Sequence, residues 1–272
     1  MTQPATGIQR LEGVLGALKK QNRKALVAYV MAGDPTPAFT EALVPKLAEA
    51  GADIIELGFP FSDPMADGPV IQAASERALR SFPGLNAYLA MVARLRRVTP
   101  VPLVLMTYYN LVFRYGEQAF AKAAAEAGLD GAILPDLALE EAETWQKAAE
   151  AAGVASVFLE APNTSAQQAG LIAQASRGFV YLISLKGVTG SDKGIGEHLD
   201  QRIDRLRKLT HTPLLLGFGI STPEQAHTLG GVCDGVIVGS ALVGRMAAES
   251  TDAGKEQAAV ALIRSFRQAL DA

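Results

Sequence analysis

Short runs of continuous apolar residues alternate along this chain with longer stretches whose apolar positions recur at helical spacing. Ile8, Leu11, Val14, Leu15 and Leu18 mark one face of a helix over Ile8–Gln21. Leu26–Met31 then predicts a strand, ended by Gly33-Asp34-Pro35, and Thr36-Pro37 has the form of an N-cap before proline at the first helical position. That helix stops at Gly51, and Ile54–Leu57 predicts the second strand. A long acidic loop follows, then helices over Val70–Leu79 and from the Pro83-Gly84 break to Arg97. Further strands are predicted at Pro102–Met106, Gly131–Leu134, Ala155–Leu159, Phe179–Ile183, Leu214–Leu216 and Gly235–Val238. Between them come a loop over Tyr108–Gly116 and helices over Glu117–Ala127 and Glu140–Ala152. Another helix is expected behind a Thr164/Gln167 capping box, and one over His198–Thr210. A second box, Thr222/Gln225, opens the next, and two helical pieces close the chain.

Eight strand–helix units with near-continuously apolar strands and short connections indicate a parallel sheet with helices outside. The strand count favours a closed α/β cylinder, a (β/α)8 TIM barrel with an extra N-terminal helix and a short extra helix after strand 8, over an open doubly wound sheet. No linker or composition shift divides the chain, so residues 1–272 are expected to form one domain. Composition narrows the partners. A net charge of -3 and a pI near 5.7 argue against nucleic acid or an anionic membrane. One cysteine, Cys233, leaves no internal disulfide, and neither a signal peptide's apolar region nor a run of about 18 apolar residues is found, so a soluble cytoplasmic protein is expected.

In a barrel, chemistry belongs at the strands' C-terminal rim, where Glu56, Asp67, Tyr108, Asn110, Asp136 and Tyr181 fall. Glu56 lies at the end of a buried strand, and leaving water raises a carboxyl pKa unless the group is paired. It is either a catalytic acid or the partner of a buried cation, and the residue alone does not decide between them. Three glycine-bearing turns follow strands six to eight: Gly187–Gly190, Gly217–Ser221 and Gly239-Ser240. Bare amides and a helix N-terminus suit an anion, which points to a phosphate site.

The segments ELGFPFSDPMADGP (56–69), NLVFRYG (110–116), GVTG (187–190) and GFGIS (217–221) are together similar to the tryptophan synthase alpha chains, and the similarity runs from MAGDP (31–35) to GVIVGSA (235–241). The resemblance implies a lyase that cleaves indole-3-glycerol phosphate to indole and glyceraldehyde 3-phosphate, with no cofactor in this chain. It also implies a beta chain carrying pyridoxal phosphate, which receives the indole in an alpha2beta2 heterotetramer. Glu56 would be the acid/base and Asp67 the partner of the ring nitrogen. Tyr29, Tyr108, Tyr181 and Thr189 would contact substrate, and Gly190, Gly219, Gly239 and Ser240 would hold the phosphate.

Other candidates are weaker. Asp34 and Asp63 sit in proline-bearing turns and suit turn formation. His198, His211 and His227 lie in or beside predicted helices away from the rim, so a metal site is not expected, and Cys233 has no histidine partner at a strand end. The glycine-rich segment Lys186–Gly196 is expected to be a mobile lid. Leu185-Lys186 and Ala138 depart from the family pattern, which touches lid closure and the partner interface but no catalytic group. A stand-alone indole-releasing lyase, a non-catalytic regulatory subunit and another phosphate-binding barrel are the alternatives. The paired acids argue against the last two.

Overall fold

The computed structural model describes residues 5–184, 192–217 and 219–272, the side chains of 192–198 excepted. In chain order its strands are β1 (Ala25–Met31), β2 (Ile54–Gly58), β3 (Leu103–Met106), β4 (Gly131–Ile133), β5 (Ala155–Val157), β6 (Leu159–Glu160), β7 (Val180–Ile183), β8 (Leu214–Gly217) and β9 (Gly235–Val238). All pair in parallel, in the order β5-β4-β3-β2-β1-β9-β8-β7-β6. β5 and β6 are two halves of one strand, split at Phe158. The first half pairs with β4 and the second with β7, while Tyr181 N donates to Phe158 O at 3.0 Å. The sheet therefore runs round through this broken strand, and its eight strand positions form a nearly closed TIM barrel. The break was not visible in the sequence, since Ala155–Leu159 is apolar throughout apart from Ser156.

Every residue of β1, β2, β3, β8 and β9 is buried, as a parallel sheet covered on both faces requires. The covering helices begin where the sequence supplies acceptors. Thr36 Oγ1 accepts from Phe39 N at 3.1 Å for the helix Pro37–Glu49, and Thr222 with Gln225 forms the expected capping box for Pro223–Gly230. Glycines in the left-handed region end two helices, Gly128 (φ 95°) after Glu117–Ala127 and Gly153 (φ 75°) after Glu143–Ala152. An extra helix, Gly7–Lys20, precedes β1, and Ser240–Ala247 and Asp252–Asp271 follow β9.

Several boundaries differ from the sequence reading. Tyr108–Gly116 is not a loop, because Tyr109–Tyr115 is helical. Its first amide, Tyr109 N, donates to Asp136 Oδ1 at 2.8 Å, so the cap comes from a residue distant in sequence. Thr164 does not cap the helix Ala166–Ala175; Ser165 does, accepting from Gln168 N, while Thr164 Oγ1 accepts from Ala161 N. The helix expected from His198 runs Asp192–Arg207, a start obscured by Gly194 and Gly196, which are poor helix formers.

At the barrel's N-terminal end one motif recurs. Asp53, Asp130 and Asp234 each immediately precede an even-numbered strand position. Each accepts on its carboxylate the amide of the neighbouring odd strand (Leu26 N 2.9 Å, Leu103 N 2.7 Å, Leu214 N 2.8 Å) and returns its own amide to that residue's carbonyl. An arginine from an outer helix completes each pair: Arg267 at 3.0 Å, Arg96 at 2.5 Å and Arg207 at 3.1 Å. Between the fifth and sixth positions a hydroxyl stands in for the carboxylate, with Phe158 N donating to Ser176 Oγ at 3.3 Å, while Arg177 N donates to Ser156 O at 2.9 Å.

Candidate active site

Side chains alternate in and out along a strand, and parallel neighbours in register share a face. Tyr29 on β1 pairs in register with Glu56 on β2, and Glu56 with Val104 on β3. With Glu56 turned inward, Gly58 and Met106, two residues further along, face inward at the next level. The chain has glycine there because a Cβ at Gly58 would lie 2.2 Å from Tyr29 Oη. The same arrangement recurs across the barrel, where a Cβ at Gly217 would lie 2.3 Å from Tyr181 Oη. Two tyrosine rings thus occupy the mouth because two strand-end glycines make room for them.

A cavity of about 410 Å³ opens there. Tyr29, Glu56, Met106, Tyr181 and Ile237 rise into it from the strands. Residues 65–71 form one wall, and Ser184, Gly219, Ile220, Gly239 and Ser240 form another. Gly219 (φ 81°) adopts a backbone conformation that favours glycine. The helix Ser240–Ala247 starts at the cavity with no side chain capping its amides, so partial positive charge faces the space.

Glu56 is 1% exposed, and its Oε2 has no hydrogen-bond partner among the described residues. Burial and then the neighbouring Asp67 charge push its carboxyl up to about 8. Burial also pushes Asp67 up to about 6, opposed by the Tyr108 hydroxyl, whose oxygen is 3.3 Å from Asp67 Oδ2. Near neutrality one acid keeps its proton and the other is ionised. Burial, reinforced by the two acids, holds the Tyr29 and Tyr181 hydroxyls well above their ordinary value, so both are protonated.

The structure gathers Tyr29, Glu56, Asp67, Tyr181, Gly219, Gly239 and Ser240 around one space. Tyr108 does not line it. Its ring stacks on Phe61 (centroids 4.9 Å apart), and its hydroxyl accepts from Ala66 N at 2.9 Å while meeting Asp67, so it holds the acidic loop from behind. Thr189, Gly190, Leu185 and Lys186 lie outside the described residues, as does the lid as far as Ser191. Asp63 serves its turn, accepting from Ser62 Oγ, whereas Asp34 is more than a turn residue and takes both arms of Arg77 at 2.8 and 2.7 Å. Asn110 and Asp136 stand outside the cavity, the latter as the helix cap. The cavity also takes Met65, Ile71, Met106, Ile220 and Ile237, which the sequence reading does not single out. Strand register is a signal for two of them, Met106 opposite Gly58 and Ile237 opposite Val27, two residues before Tyr29. Burial pushes the Cys233 thiol up to about 11, which leaves it inert. Among the described residues no three His, Cys, Asp or Glu side chains gather to hold a metal ion, and no helix is long and apolar enough to cross a membrane.

The family model of the tryptophan synthase alpha chain matches residues 15–271. The chain belongs to the tryptophan synthase alpha chain family. Tryptophan synthase alpha chains of Geobacter sp. (strain M21) and Marinobacter nauticus are 46% and 47% identical to it, over 87% and 97% of this chain and 88% and 98% of theirs. The crystal structure of tryptophan synthase subunit alpha from Legionella pneumophila str. Paris superposes with a TM-score of 0.87 at 40% identity, covering 96% of this chain and 98% of that one. Tryptophan synthase alpha chains are lyases of tryptophan biosynthesis that cleave indole-3-glycerol phosphate as the alpha subunit.

Proposed function

We propose that this chain releases indole from indole-3-glycerol phosphate by a retro-aldol cleavage in which Glu56 moves the protons and Asp67 stabilises the charge. Protonated Glu56 delivers its proton to ring carbon 3, making the indole ring an electron sink. Ionised Asp67 accepts the ring N–H and stabilises the positive charge that develops there. The bond between carbon 3 and the glycerol chain then breaks, and its electron pair returns to the ring. The proton of the adjacent side-chain hydroxyl passes to the Glu56 carboxylate as the aldehyde forms, which restores the starting acid. Atoms and charge balance without an added reagent.

The observation that carries this reading is a fully buried carboxyl, raised to about 8, sharing one cavity with a second acid at about 6 and with two glycine turns across the opening. Gly219, Gly239 and Ser240, joined by Gly190, hold the phosphate through backbone amides and the helix N-terminus. Tyr29, Tyr181 and Thr189 flank the glycerol and ring, with Tyr108 acting through Asp67. The chain works as one barrel domain over residues 1–272, in the cytoplasm. It binds no cofactor itself and passes indole to a pyridoxal-phosphate-bearing beta chain in an alpha2beta2 assembly. Mixing the purified chain with indole-3-glycerol phosphate, with and without a beta chain, tests this directly. Indole is expected in both, faster with the partner, and its absence from both refutes the reading.

A further inference from the structure

Behind the cavity wall lies an ion pair that the chemistry above does not use. Glu160, at the end of β6, is 0% exposed. It pairs in register with Leu182, one residue from the inward-facing Leu159/Tyr181 pair, and so points outward against the helix Asp192–Arg207. Arg202 on that helix meets it. Arg202 Nε donates to Glu160 Oε2, Nη2 to the Glu160 carbonyl at 2.6 Å, and Nη1 to the Ile183 carbonyl at 2.8 Å. One guanidinium therefore ties together the last carbonyls of β6 and β7, just where their ladder ends.

Ile183 lies between two residues of the cavity wall. Tyr181, two residues before it, raises its ring into the mouth, and Ser184 follows it. Ser184 N donates to Gly217 O at 3.1 Å, and a Cβ at Gly219 would lie 3.5 Å from Ser184 Oγ. The carbonyl that Arg202 grips thus lies between the Tyr181 ring, which shares the cavity with Glu56, and the contact of Ser184 with the glycine turn of the adjacent strand β8. The arrangement is poorly optimised as a simple brace. Glu160 Oε1 is buried with no hydrogen-bond partner among the described residues, and the next cation, Arg205 Nη2, is 3.9 Å away. An apolar contact would hold helix to strand without stranding that oxygen. What an apolar contact would lack is the planar fork, which fixes two carbonyls and a carboxylate in one geometry.

We propose that Arg202 and Glu160 are positioning residues for indole release, setting from outside the barrel the wall that carries Tyr181 and Ser184. This rests on the retro-aldol reading above. Arg202→Lys keeps the charge but loses the fork, and Glu160→Gln keeps the shape but loses the charge. Breaking a buried pair also costs stability, so each full-length variant is assayed well below its own melting temperature. There kcat for indole release is expected to fall on the order of tenfold or more, with KM near that of the wild type, because small misplacements at a reacting centre cost rate more than binding. The high-pH limb of kcat/KM should move to lower pH as the loosened wall admits water to Glu56, whose other titratable neighbours, Asp67, Tyr29 and Tyr181, are unchanged. Wild-type kcat and an unmoved limb in both variants overturn the inference. So does a rate loss that only tracks the folded fraction measured by circular dichroism, since that marks a purely structural pair. A wild-type chain that releases no indole refutes the underlying reading instead, and takes this inference with it.

Discussion

If Glu56 must hold a proton and Asp67 must have lost one when substrate arrives, the rate of indole release follows a bell in pH whose limbs can be set from the structure. Glu56 is pushed up to about 8 and Asp67 up to about 6. At pH 7 each group is about 90% in its required form, so roughly four-fifths of the enzyme is competent, whereas at pH 5 or pH 9 only about one-tenth is. The limbs belong to the interacting pair rather than to either acid alone. They should be read from kcat/KM, which reports the free enzyme, by following indole release at low substrate between about pH 4.5 and 9.5. Asp67→Asn gives the decisive comparison. Its charge is one cause of the raised Glu56 value, so the high-pH limb of the residual activity should move down. The enzyme's own low-pH limb should vanish, and any limb left near about pH 6 belongs to the substrate's phosphate. A profile flat from pH 5 to 9, or a high-pH limb unmoved in Asp67→Asn, refutes the two-acid reasoning.

Glu56→Gln should abolish indole release by several orders of magnitude while making the fold more stable. The folded-state value of Glu56 is raised from near 4.5 to about 8, so the stability it contributes is complete below pH 4.5 and is lost as pH rises through about 8. Urea unfolding at pH 9 should therefore show the variant ahead by a few kcal/mol, with little gain at pH 4.5; equal stability at pH 9 contradicts the burial argument. Gly58→Ala and Gly217→Ala drive a methyl group into Tyr29 and Tyr181, and each should cost ~1–3 kcal/mol and lower indole release. Gly13→Ala, with nothing within 4 Å, is the control that should melt no lower than wild type. Asp130→Asn, which leaves Arg10 and Arg96 without their carboxylate, should cost about 3–5 kcal/mol in urea unfolding while the folded protein keeps its kcat.

The barrel was legible because its strands are apolar on both faces, and its glycine stops and Thr-Pro starts lie next to the elements they bound. Glu56 stood out for the same reason, as a charge in a run that otherwise tolerates none. What escaped the sequence depends on contacts between distant residues. The helix at Tyr109–Tyr115 takes its cap from Asp136, and the strand interrupted at Phe158 is broken by which neighbour each half pairs with. Tyr108 looked like a cavity residue because it follows a strand end, yet its hydroxyl reaches Ala66 and Asp67 behind the loop. Arg202 and Glu160, 42 residues apart, carried no local signal.

The aspartates at the barrel's base buckle neighbouring strands two by two, β1 to β2, β3 to β4 and β8 to β9. At the base of the remaining couple, formed by the split strand and β7, the Ser176 hydroxyl stands where the others have a carboxylate with its arginine, and the charged clasp of Arg202 and Glu160 sits at the opposite end. The weakest point of the cylinder's base is therefore known in advance. Amide hydrogens around Phe158 and Val180 should exchange with solvent before those of β1 or β3, and unravelling should begin at that quarter, leaving the Glu56 side of the mouth the last to open.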